Sequence, residues 1–63
     1  MTSEEMVAVA FDLENMGEAT GNIAMEESGE RKKLWEEAEK ALDEAAVGLR
    51  KAAKLQKQLE DLN

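Results

Sequence analysis

From Ile23 to Leu34 the chain reads IAMEESGERKKL, and this stretch decides between one long helix and two. The eleven positions separating Ile23 from Leu34 keep helical phase, so a single uninterrupted helix through Gly29 is one reading. Against it, the seam positions that would lie between them, Glu27 and Glu30 or Arg31, are charged. Ser28-Gly29 also supplies a residue free to adopt the left-handed conformation that commonly closes a helix. The stretch therefore predicts a break and a single all-α helical-hairpin domain over residues 1–63. Its first helix covers about 3–27, its turn about 28–30 and its second helix about 31–62.

Beyond the break, large and small apolar residues recur every three or four positions: Leu34, Ala38, Ala41, Leu42, Ala45, Leu49, Ala52, Leu55, Leu59 and Leu62. Trp35 and Gly48 border this stripe. That period is helical, and it runs over 29 positions, so the second helix is long. Before the break, Thr2-Ser3-Glu4-Glu5 fits a capping box, with Thr2 as N-cap and Glu5 three residues on. Met6, Val9, Leu13, Met16, Thr20 and Ile23 then follow a 3,4,3,4,3 spacing that keeps one seam on one side of the helix. Thr20 is the polar member of that seam, expected to set register or to bond back to its own helix.

Small residues repeat every seventh position on both helices: Ala10, Gly17 and Ala24 on the first, Ala38, Ala45 and Ala52 on the second. Such rows allow two helices to approach at the short end of the usual separation of about 8 to 10 Å. With a tight turn at Ser28-Gly29, facing residues sum to roughly 57 to 58, so Leu13 meets Ala45, Met16 meets Ala41 or Leu42, and Ile23 meets Leu34 or Trp35. Glu4 and Glu5 then fall near Ala53 and Lys54, with Arg50, Lys51 and Lys57 close by. The second helix overhangs the first by roughly 10 Å at its far end, leaving Leu59 and Leu62 without an intrachain partner. Glu36 and Lys40 form the clearest exposed ion pair, acid first and four residues apart.

Fifteen acidic residues against eight basic ones give a net charge of −7. Residues 1–30 hold eight carboxylates and no Lys or Arg, and residues 31–63 hold all eight basic residues with seven acidic ones. The acidic surface disfavours nucleic acid and anionic membranes. Arg50, Lys51, Lys54 and Lys57 make a basic cluster, and no aromatic residue interleaves it. No run approaches a membrane span, and neither a basic region nor an apolar block marks a signal peptide.

Catalytic, cofactor and metal chemistry are not expected. With no Cys and no His, the chain has no disulfide, no imidazole base and no common transition-metal ligand, so carboxylates alone remain for hard cations. Glu36, Glu39 and Asp43 share a face, read as solvated and opposite the apolar stripe. Gly17-x-x-x-Gly21 is flanked by Glu14 and Glu18, so close helix packing fits it better than a membrane dimer motif.

A chain of 7.0 kDa buries at best roughly 6,000 Å² on folding, about 3,700 Å² of it apolar. That is about 93 kcal/mol of burial against about 95 kcal/mol of ordering cost, which leaves nothing over. A second chain is the remedy composition permits. The hairpin is expected to associate with itself, as a homodimer or higher, into a four-helix bundle or larger helical assembly. Its candidate interface is Leu34, Trp35, Ala38, Leu42, Ala45, Leu49, Ala52, Leu55, Leu59 and Leu62. The expected role is a small acidic regulator, adaptor or inhibitor docking on another protein, with a basic surface as the second partner. The alternative is a structural subunit of a larger assembly, such as a phage or filament component. The expected place is the cytoplasm, or a virion or assembly if structural.

Overall fold

A computed structural model describes residues 1–62. Two helices, α1 (Ser3–Glu26) and α2 (Gly29–Leu62), fold back on each other as an antiparallel hairpin. The fold measures 52 × 13 × 12 Å, and the 34 residues of α2, at about 1.5 Å each, account for its whole length.

The first helix opens where the capping box places it. The Glu5 N–H donates to Thr2 Oγ1 at 3.2 Å and the Thr2 N–H donates to Glu5 Oε1 at 2.8 Å. Two of the free N–H groups of the helix start are thereby satisfied. The break is also present: Gly29 has φ +62°, a conformation costly for any residue with a Cβ. It stands at the first residue of α2, however, rather than closing α1. α1 ends one residue earlier than expected, at Glu26, and Glu27 leaves it in extended conformation with ψ 167°. Glu27 and Ser28 alone link it to α2.

The register is shifted from the expected sum of 57 to 58. Arg50 bonds Glu14 and Ser3 bonds Glu60, and Gly17 and Gly21 meet Asp43 and Glu39. Facing residues therefore sum to about 60 near the turn and 63 to 64 toward the open end. The overhang moves accordingly. Residues 29–33 of α2 project at the turn, while α1 runs beside α2 as far as Glu60, so Leu59 does not project past it.

The seam between the helices is made of small residues. On α1 the buried row is Ser3, Ala10, Gly17 and Ala24; on α2 it is Ala46 and Ala53, completed at the same seven-residue spacing by half-buried Glu39 and Glu60. The expected small row of α1 thus holds the centre of the contact. The expected row of α2 does not: Ala45 is exposed, and Ala38 and Ala52 are only half-buried. The chain carries tandem alanines at 45–46 and 52–53, about 100° apart around the helix, and the shifted register selects the second of each pair. The large seam of α1 is displaced to one side as a result, leaving Met16 55% and Ile23 39% exposed.

Candidate functional site

Each row of α2 can be followed by its seven-residue repeat. Beside the buried row lies a half-buried one, Trp35, Leu42, Leu49 and Gln56. Next comes Ala38, Ala45, Ala52 and Leu59, and outermost Leu34, Ala41, Gly48, Leu55 and Leu62. Leu34, Leu55 and Leu59 are each more than half exposed, and Leu62 is 83% exposed. The equivalent rows of α1 are Met6, Leu13 and Thr20, then Val9, Met16 and Ile23, then an acidic edge of Glu5, Asp12 and Glu26. Because the helices are antiparallel, rows displaced in the same sense around each axis emerge on the same side of the hairpin. One side is therefore apolar, two rows wide on each helix, and the outermost row of α2 carries the apolar surface on round to the back of that helix, away from α1.

Charged residues mark the other side. Arg50 grips Glu14 as a fork, Nη2 to Oε1 at 2.6 Å and Nε to Oε2 at 3.0 Å. These hydrogen bonds hold the Glu14 carboxyl below its ordinary range and raise Arg50. The basic cluster is thus partly an intramolecular complement to α1, though the partner of Arg50 is Glu14 rather than Glu4 or Glu5. Glu4 does share an open groove of about 690 Å³ with Ser3, Val7, Arg50, Lys54 and Lys57. Lys57 pairs with Asp61 at 3.4 Å and Arg31 with Glu27 at 3.0 Å. The expected Glu36–Lys40 pair is not among the ion pairs of the described residues.

Two carboxylates act as structural ties. Glu60 accepts from the Ser3 N–H at 2.9 Å and from Ser3 Oγ at 2.7 Å, so the end of α2 caps the positive end of α1. The Ser3 hydroxyl and then its N–H lower the Glu60 pKa, and the Thr2 backbone N–H, then its side chain, lower that of Glu5. Of the three carboxylates expected on a solvated face, Glu36 and Asp43 are exposed and Glu39 is half-buried, and Glu39 and Asp43 also lie over the Gly21 and Gly17 backbone, where a Cβ would collide with their oxygens. The signal for this was the Gly17-x-x-x-Gly21 spacing itself, which opens α1 to close approach. Thr20 donates from Oγ1 to the Met16 carbonyl at 2.7 Å, the bond back to its own helix that the sequence suggests.

The ten expected interface residues divide. Trp35, Ala38, Leu42, Leu49 and Ala52 are half-buried along α1, and Leu34, Ala45, Leu55, Leu59 and Leu62 are exposed on the apolar surface. Reading hydropathy alone merged two surfaces into one stripe. It also passed over Glu39, Ala46, Ala53 and Glu60, because half of that row is charged. Among the described residues no three carboxylates gather to hold a metal ion, and no helix is long and apolar enough to cross a membrane. No family model matches the chain, and neither a curated protein nor a solved structure matches it.

Proposed function

We propose that this chain works by binding protein, as a small acidic regulator, adaptor or inhibitor whose apolar face is its docking surface. One observation carries the reading. Leu59 of α2 and Met16 of α1 are each more than half exposed on one side of the hairpin, and Leu34 and Leu55, equally exposed, continue the apolar surface round onto the back of α2. A continuous uncovered apolar face on so small a fold is the signature of an interaction surface. The hairpin interior, whose buried apolar residues are Ala10, Ala24, Ala46 and Ala53, offers little burial of its own. Association would supply what it lacks. The acidic edge of α1 suits a basic partner surface beside the apolar one.

A second reading, a structural subunit, is favoured by Phe11 and Val47, 58% and 69% exposed away from that face. Two distinct apolar surfaces permit head-to-tail contacts that continue rather than close.

Light scattering over a concentration series, with circular dichroism on the same samples, tests both readings. The expected result is a closed oligomer whose mass falls, with helicity retained, in the Leu55→Glu, Leu59→Glu double variant. Growth without limit would favour the subunit. A helical monomer that binds no hydrophobic-surface dye would rule out a docking face altogether.

A further inference from the structure

Resting on that docking reading, we infer that the occupant of the outer face of α2 is a second copy of this chain, laid antiparallel across α2 about a two-fold axis at Gly48. The elongated hairpin exposes enough surface for a standard interface with a partner of its own size. The folded surface is 4885 Å², whereas a compact monomer of this mass exposes about 4,000 Å². The excess is close to the roughly 800 Å² that each partner contributes to a standard stable interface.

Gly48 gives the position. A glycine in the middle of a helix is destabilising, and one is retained where another backbone or side chain must come close. Yet no atom of this chain lies within 4 Å of where its Cβ would stand. Gly17, by contrast, has Leu42 Cβ at 3.7 Å and Asp43 closer still. Gly48 is therefore open to a close neighbour from outside the chain.

The rows flanking Gly48 give the partner and its direction. Turned end for end about this glycine, the outer row sets Ala41 on the partner's Leu55 and Leu34 on the partner's Leu62. The next row sets Ala38 on the partner's Leu59 and Ala45 on the partner's Ala52. Leu55 and Leu59 of one half meet alanines of the other, Leu34 and Leu62 meet each other at the ends, and the smallest residues meet at the axis, where the helices cross most closely. The same rotation brings Glu44 opposite the partner's Lys51, twice per dimer. Both residues are exposed, and neither forms an ion pair within its own chain among the described residues. A parallel arrangement would set Glu44 against the partner's Glu44 and Leu55 against the partner's Leu55.

Gly48→Leu tests the seat, because the hairpin itself has room for the side chain. The unaltered chain is expected at twice 7.0 kDa and the variant at a single mass with helicity kept. Glu44→Lys should raise the dimer dissociation constant about tenfold, and adding Lys51→Glu should restore it. The chain has no Cys, so single cysteines report direction. A mixture of Ala41→Cys and Leu55→Cys chains should cross-link with each other, and neither should cross-link alone. Self-linking of Ala41→Cys, or an unchanged mass for Gly48→Leu, would overturn the antiparallel seat while leaving a docking face in place. A monomeric but dye-binding wild-type chain would overturn the second copy and direct the same face to a different protein.

Discussion

Ala45 and Ala46 are adjacent and chemically identical, yet Ala46 is 1% exposed at the helix seam and Ala45 lies open on the apolar face. The same holds in part for Ala52 and Ala53, half-buried and buried. Two parallel alanine rows, one residue apart, present α1 with equivalent docking tracks. What separates them is polar. The row that wins is continued by Glu60, which caps α1 through Ser3, and by Glu39, which lies over Gly21. The losing row is continued by Leu59, which does nothing for the end of α1. A seam between helices is thus chosen by what its charged ends can satisfy as well as by what its middle can bury.

The comparison breaks most visibly by enlarging each alanine in turn. Ala46→Leu should overpack the seam and cost about 1 to 3 kcal/mol in denaturant unfolding. Ala45→Leu, measured at a concentration where the chain is monomeric, should stay within about 0.5 kcal/mol of the unaltered chain. Equal losses at the two sites would mean that the rows share the contact.

Acid should loosen the carboxylate ties, of which Glu60 belongs to the winning row, Glu14 joins the helices beside it and Glu5 caps α1. Glu5, Glu14 and Glu60 are all held below the ordinary glutamate value of 4.5 in the folded chain. Their stabilisation is complete above that value and is lost as pH falls through the lower folded values, because the unfolded chain then takes up protons first. The melting temperature should therefore drop on acidification below about pH 4.5. Glu60→Gln and Glu14→Gln should each make that drop shallower. An unchanged profile in both would remove the carboxylates from the choice of row.

The smallest effect sharpens the comparison at the glycines. In the monomer, Gly48→Ala should stabilise α2 by up to about 1 kcal/mol through helix propensity, since nothing in the chain opposes the added methyl. Gly17→Ala should gain less, because Asp43 Oδ1 stands 2.7 Å from the new Cβ and must swing away. Thermal melts of both variants at low concentration would show the order.

Local features were legible because their partners lie within one turn of helix. The Thr2 and Glu5 capping box, the Thr20 bond to the Met16 carbonyl and the left-handed Gly29 each depend on residues at most four positions apart. The interface was less legible. Leu59 and Leu62 are expected to lack an intrachain partner because they overhang, and Leu59 is exposed for another reason. Glu60 is bonded to Ser3, so α1 reaches that level, and Leu59 faces sideways rather than beyond the end.

By itself the sequence determined an all-helical chain, a break at Gly29, two long antiparallel helices and an apolar surplus that one hairpin cannot bury, because propensity, capping and composition act locally or as sums. Only the tertiary structure decided which alanines form the seam and which side is left open. That choice turns on the register and on which row brings Glu39 and Glu60 to α1, a match between distant residues that no period in the sequence records.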